Sequence, residues 1–205
     1  VVELYGADTI RLYEMFMGPL EAMKPWNTAS IIGPRRFLER VWRLSQKAGG
    51  DSLGSAETVF HQTGKKVGTD IESFSMNTAV SQLMICLNAF EALPTVPKKA
   101  YEDFLKLLAP FAPHITEELW RELGNAESIH TASWPVFDPA KLESEMVTLA
   151  VQIGGKTKGT CTVPRSASEE EVVVELKKDA KLGAHIPGAP KKVIYVPGRI
   201  INFIP

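Results

Sequence analysis

The apolar period of this chain changes once, from helical to extended, near residues 125–145, and that switch limits the folds open to it. Before it, apolar residues recur every three or four positions. Ile10, Tyr13 and Met17 form one such series, Met76, Val80, Leu83, Leu87 and Phe90 a second, and Tyr101, Phe104, Leu105 and Leu108 a third. That spacing places apolar side chains on one face of a helix. After the switch, Leu149, Val151 and Ile153 alternate with Ala150 and Gln152, the period of a half-buried strand. The pattern predicts a mainly α chain. A helical bundle occupies 1–125, a connector containing Trp134-Pro135 and Asp138-Pro139 occupies 126–145, and a small α+β domain occupies 146–205.

Local punctuation refines this. A helix from Asp8 to Met17 is stopped by Gly18-Pro19, and a second opens at Gly33-Pro34 and ends near Gly49-Gly50. A third, from Ala56 to Glu72, is weakened by Gly64 and Gly68. The last, Pro113 to Leu123, ends at Gly124. Trp26, Trp42 and Trp120 are expected in the bundle core. In the tail, Gly154-Gly155 joins two strands. A two-residue loop would set Ile153 opposite Lys156, so a three-residue loop that keeps the odd-numbered residues on one face is the expected register. Ser166-Ala167-Ser168-Glu169 predicts a capping box opening a helix that runs to about Leu182. Val193, Ile194 and Val196, then Ile200, Ile201 and Phe203, predict two strands around Pro197-Gly198.

Composition narrows the class. At 44% hydrophobic and 23% charged residues, the chain has what a folded protein needs. No apolar run approaches the roughly 20 residues of a membrane helix. Only Cys86 and Cys161 occur, too few for a disulfide framework or a zinc site, which points to a reduced, cytoplasmic setting. The Val1-Val2-Glu3 start lacks the features of a signal peptide and is expected to be the start of a fragment. Charge is unevenly spread. Residues 1–145 carry 14 basic against 19 acidic side chains, while 146–205 carry 9 against 5, so the tail favours an anionic partner.

Catalytic constellations are sparse. His61, His114, His130 and His185 are scattered without ligand spacing, and structural use is the ordinary reading of His114 just inside a Pro-initiated helix. Gly154-Gly155-Lys156-Thr157 resembles the end of a phosphate-binding loop. That motif needs Gly at position 150, occupied here by Ala150, and must launch a helix, whereas Lys156 to Val163 alternates as a strand. The basic residues are more informative. On the second helix Arg36, Arg40, Arg43 and Lys47 fall within roughly 60° of one another, opposite Phe37, Leu38, Val41, Trp42 and Leu44. Like charges four apart repel, which an RNA phosphate would offset. The same spacing equally fits a solvated face neutralised by Glu39. A second cluster comprises Lys156 and Lys158 at the hairpin, with Lys191, Lys192 and Arg199 near the last strands. Solubility or strand-edge protection is the ordinary use of such lysines.

Several stretches resemble a known family. Tyr5-Gly6-Ala7-Asp8-Thr9-Ile10-Arg11-Leu12 is similar to the segment after the KMSKS loop of class I aminoacyl-tRNA synthetases. The stretch from Leu108 to Trp120, LAPFAPHITEELW, resembles a late helix of their anticodon-binding bundle. Met15 to Leu20 (MFMGPL), Lys24-Pro25-Trp26 and Arg36 to Leu44 (RFLERVWRL) resemble bacterial-type leucyl-tRNA synthetases. So do Val151 to Gly159 (VQIGGKTKG) and Lys192 to Arg199 (KVIYVPGR). Two departures are small. The family usually has Asn-Gly where this chain has Gly154-Gly155, and often Arg at Lys158, so bidentate phosphate recognition is lost there.

The resemblance implies a parent protein that activates leucine with ATP and Mg²⁺, charges tRNA(Leu) and hydrolyses mischarged products in an editing domain. The HIGH and KMSKS signatures and the editing domain are expected outside this stretch, acting in cis, so the stretch itself is expected to hold no cofactor, metal or catalytic residue. The bundle would pack along the tRNA body without reading anticodon bases, and the terminal domain would reach the tRNA elbow. Arg36, Arg40, Arg43, Lys47, Lys156, Lys158, Lys191, Lys192 and Arg199 would neutralise and position phosphates. A monomer with no membrane association is expected. The competing reading is a helical protein-interaction module whose basic face takes an acidic partner.

Overall fold

The computed structural model describes residues 1–143, 146–179, 181–187 and 190–204. They form two compact units, Val1–Leu142 and Glu143–Pro205. In the first, the helices are α1 (Val2–Tyr5), α2 (Ala7–Phe16), α3 (Ile32–Leu44), α4 (Glu57–Glu72), α5 (Met76–Glu91), α6 (Lys98–Leu108) and α7 (Pro113–Glu122). Strands β1 (Ala48–Gly50) and β2 (Val96–Pro97) pair in parallel between them. The second and third apolar series read from the sequence point inward; in the first Tyr13 is buried, but Ile10 and Met17 are only half-buried and Leu12 supplies the core contact. Val80, Leu83, Leu87 and Phe90 of α5 meet Phe37 and Val41 of α3 and Tyr101, Phe104 and Leu108 of α6 in one core. The Tyr101 hydroxyl, buried with that core, donates to the Val41 carbonyl at 2.9 Å, satisfying the one polar atom the ring brings in.

Two expectations about this unit change. Only Trp120 is buried, whereas Trp26 is 48% and Trp42 is 40% exposed. On α3, Trp42 lies roughly 110° from the middle of the buried stripe formed by Phe37, Leu38, Val41 and Leu44, outside its reach. Trp26 instead covers Tyr13 edge-on at 5.0 Å and gives its indole N–H to Thr28. The α3 helix also ends earlier than expected, at Leu44, and Lys47 lies in a following 3₁₀ turn, Ser45–Lys47.

The expected connector over 126–145 belongs largely to the bundle, since the first unit runs to Leu142. Glu117 accepts from the Ser128 hydroxyl and the Ile129 N–H, and Ile129 enters the core. Farther on, Asp138 N–H donates to His61 Nδ1 at 3.1 Å, Gln62 donates to the Leu142 carbonyl, and Lys141 pairs with Glu57 at 2.6 Å. All three partners lie on α4. The same contact explains why α4 runs unbroken for 16 residues despite Gly64 and Gly68. A Cβ at Gly64 would meet Phe137 at 3.3 Å, and one at Gly68 would meet the Trp134 indole at 3.6 Å. The glycines mark where the strap lies against the helix. Ser144 and Glu145, the end of the expected connector, lie outside the described residues.

The second unit contains β3 (Met146–Ile153), β4 (Lys156–Pro164), α8 (Glu169–Lys178), β5 (Lys192–Val196) and β6 (Ile200–Ile204). The sheet order is β4-β3-β6-β5, with β3 and β6 parallel and the other neighbours antiparallel. Leu149, Val151, Val163, Ile201 and Phe203 pack with Val172 and Leu176 of α8 on one face of the sheet. Ser168 caps α8 through a capping box with Glu171, two residues later than expected, and the helix stops at Lys178 rather than near Leu182. Both Ser-x-x-Glu pairs fit the motif. The later one prevails because Ala167 is buried before the helix, its carbonyl accepting from Tyr195.

The hairpin register also differs at its tip. Gly154 and Gly155 form a two-residue turn with φ of 55° and 80°, so Ile153 does pair with Lys156. Two positive φ values suit a type I′ turn, whose twist matches the strands. The phase conflict is absorbed by a bulge. Gln152 pairs with Thr157 and Val151 with Gly159, leaving Lys158 as the extra residue. Beyond it Gly159, Cys161 and Val163 face Val151, Leu149 and Val147, as the apolar alternation demands.

Candidate nucleic-acid interface

The four basic side chains read as one stripe on α3 separate into two pairs. Arg40 lies closest to the buried side, roughly 90° from its centre, and reaches α5. Its Nε contacts both Glu91 carboxylate oxygens at 3.1 Å, and Nη2 reaches Glu91 and, at 2.5 Å, Asn88. The hydrogen bonds to the Glu91 carboxylate hold the Arg40 guanidinium above its ordinary pKa. Lys47 Nζ donates to the carbonyls of Glu91 at 2.7 Å and Leu93 at 2.9 Å, satisfying acceptors at the C-terminal end of α5. Both cations are structural ties, a correction to their expected place in a free basic face. Arg36 and Arg43 remain. Both are exposed, and neither side chain is paired among the described residues. Seven residues apart, they lie on one side of α3 about 10 Å from each other.

Asp8, not singled out in the sequence, explains the start of α7. Ala112 at the N-cap has no side chain to offer. The buried Asp8 carboxylate supplies the cap, accepting from the N–H of His114 at 3.1 Å and of Ile115 at 2.8 Å, with His114 Nδ1 at 2.7 Å. An anion at a helix N-terminus is also favoured by the helix dipole. His114 is thus structural. The signal was an acid in the first turn of a helix, which does not reveal a partner 106 residues away.

In the second unit, four of the five expected cations gather at one end of the sheet. The Gly154 N–H donates to the Phe203 carbonyl at 2.8 Å, and the Gly155 N–H to Asn202 Oδ1 at 3.1 Å, so the β3–β4 turn is fixed beside the end of β6. Lys156 follows that turn, and the bulge presents Lys158. Lys192 pairs with Ile204 at the same end, and the Lys191 N–H bonds the Ile204 carbonyl. Three strand spacings separate β4 from β5, about 14 Å, so these lysines form two separate positive centres. Arg199 is elsewhere. It occupies the β5–β6 turn, closed by its N–H to the Val196 carbonyl with Gly198 at φ 73°, about 13 Å along β6 from Phe203. All five side chains are exposed, and none is paired among the described residues.

Other chemistry is limited. Cys86 is buried and its thiol is pushed up to about 12 by desolvation, which keeps it protonated and unreactive. Among the described residues no group of three or more His, Cys, Asp and Glu side chains is arranged to hold a metal ion. No helix of the described residues is long and apolar enough to cross a membrane. What the surfaces offer is separated, exposed, uncompensated positive charge on a regular scaffold. That is suited to a polyanion with spaced phosphates.

Comparison with known proteins agrees with this geometry. Residues 55–174, more than half of the chain, match the anticodon-binding domain of tRNA ligase. The chain belongs to that family. Over 98% of its length it is 44% identical to the leucine–tRNA ligase of Christiangramia forsetii, of which it spans 22%. Its fold matches the agnB2 LeuRS of Agrobacterium radiobacter K84, solved as a ternary complex with tRNA and LeuAMS. The TM-score is 0.76 at 29% identity, covering 99% of this chain and 29% of that one. The chain thus spans about a fifth to under a third of these relatives.

Proposed function

We propose that this chain is the tRNA-holding part of a leucine–tRNA ligase, a cytoplasmic monomer that charges tRNA(Leu). Leucine activation with ATP and Mg²⁺, and editing, fall to other domains of the same polypeptide. The observation that carries this reading is the state of the cations. Arg36 and Arg43 on α3, and Lys156, Lys158, Lys191, Lys192 and Arg199 in the second unit, are exposed and have no carboxylate partner among the described residues. Uncompensated charges on rigid elements repel one another in the free protein and gain by phosphate contact, with release of the RNA's condensed counterions. The likeness to a leucine–tRNA ligase supports tRNA as that RNA.

Titration of tRNA(Leu) with the chain at about 50 and 200 mM salt tests this. Binding is expected to weaken steeply with salt, and Lys156→Ala with Lys158→Ala to flatten the slope by roughly one to two units. A slope unaltered by the double substitution, or binding indifferent to salt, would refute the role given to these lysines.

A further inference from the structure

The strap from Ile129 to Leu142 is fastened differently at its two ends. At its start Ile129 is buried in the bundle core, and Glu117 accepts from the Ser128 hydroxyl and the Ile129 N–H. Farther along, between 132 and 142, only Pro135 is buried. There the attachment to α4 consists of the half-covered Phe137 and Trp134 over Gly64 and Gly68, the Gln62 and Lys141 contacts, and the Asp138 N–H on His61 Nδ1. A backbone N–H only donates, so that ring nitrogen must carry a lone pair. The bond exists while His61 is neutral with its proton on Nε2.

A proton on Nδ1 would set one N–H against another at 3.1 Å. Among the described residues the charged groups acting on the ring are Lys141 and Asp138 of the strap and Glu57 of α4. Burial first, and then the Lys141 charge, hold His61 below its ordinary pKa against the opposing pull of Glu57 and Asp138. Both carboxylates are engaged elsewhere, Glu57 with Lys141 and Asp138 with the Ala140 N–H. Linkage is reciprocal: attachment that disfavours the proton is disfavoured by it to the same degree. For an imidazole held low, attachment is complete above about pH 6.5 and is lost as pH falls through the lower titration point of the attached form.

We infer that the strap is a proton-released clamp: a proton on His61 Nδ1 detaches residues 132–142 from α4, with Ile129 and Glu117 holding as the pivot. The consequence is one of chain length. Attached at Leu142, the strap leaves residues 143–145 between its last α4 contact and β3; detached, 132–145 fill that role.

The test follows the 205-residue chain by ¹H–¹⁵N spectra from about pH 7.5 to about pH 5, a window that brackets the ordinary imidazole. The Asp138 amide and the Trp134 indole resonances are expected to move together with a midpoint below about 6.5, while Ile129 and the amides of α5 stay in place. Protection of the Asp138 amide, corrected for intrinsic exchange, is expected to fall by up to about tenfold per pH unit across the transition. In His61→Asn the side-chain carbonyl offers an acceptor that does not titrate, and the two resonances are expected to hold their positions throughout. His61→Ala is expected to place the Asp138 amide at the acid position already at about pH 7.5. Resonances of Asp138 and Trp134 that ignore pH in the parent, or a midpoint that persists in either variant, overturn the clamp. So does movement of the α5 amides at the same midpoint, which would make the event unfolding of the bundle and not release of the strap.

Discussion

Removing the Arg40 guanidinium would leave the Glu91 carboxylate, only one-third exposed, without its partner and Asn88 without a donor. A half-solvated pair is worth less than a buried one, so Arg40→Ala is expected to cost about 1–2 kcal/mol. For a unit of this size that is a fall of several degrees in Tm. Arg43→Ala removes a side chain that ties nothing down and is expected to stay within about 0.5 kcal/mol of the parent. Its effect belongs to tRNA affinity, where it should lower the salt slope by roughly one. Urea unfolding of the two variants beside a tRNA titration separates these roles. Equal stability of both would return Arg40 to the exposed face. The sequence showed four cations at helical spacing but not the acceptors on α5, because Glu91 and Asn88 lie about 50 positions away and tertiary contact alone chooses among cations on one stripe.

At the scale of elements, α4 shows where sequence signals were legible and where they misled. Glycines cost a helix about 1 kcal/mol each because an unfolded glycine has more freedom to lose, so Gly64 and Gly68 weakened the sequence case for this segment. Their cost is offset by the strap from Ile129 to Leu142, whose Phe137 and Trp134 approach the positions that lack a Cβ. That strap carried no period and read as a connector, since its contacts are single anchors. The hairpin was better marked. Its alternation fixed the partners of Cys161 and Val163 correctly, and only the bulge at Lys158, which leaves no trace in an apolar pattern, hid the two-residue turn. The helix makes a sharp contrast testable. Gly68→Ala places its Cβ at 3.6 Å from the indole, ordinary contact, and is expected to stabilise by about 0.5–1 kcal/mol. At Gly64 the new Cβ sits 3.3 Å from Phe137, which must shift, so Gly64→Ala is expected to gain less or to destabilise. Melting temperatures of both variants decide the matter. A gain at Gly64 equal to that at Gly68 would mean the strap yields freely there.

The molecule as a whole is two cores of unequal size. The bundle core draws on α2 through α7, whereas the second unit rests on one sheet face and one helix. A unit of about 60 residues has on the order of 3–9 kcal/mol of stability by the usual allowance per residue. Phe203 is fully buried at the centre of its core, and its truncation to Ala costs about 3–5 kcal/mol through lost transfer energy and the cavity left behind. That is most of what the smaller unit has, and none of it falls on the bundle if the cores fold separately. Phe203→Ala is therefore expected to collapse the dispersed amide resonances of the four strands and α8 while those of α2 to α7 keep their positions, as ¹H–¹⁵N spectra would record. Loss of both sets together would show one cooperative transition spanning the chain. The distinction bears on function. If the units fold separately, the Phe203 variant is expected to retain the binding contributed by Arg36 and Arg43 and lose that of Lys156, Lys158, Lys191, Lys192 and Arg199. Its salt slope for tRNA should then fall by about four, from the five phosphate contacts carried away at somewhat less than one unit each.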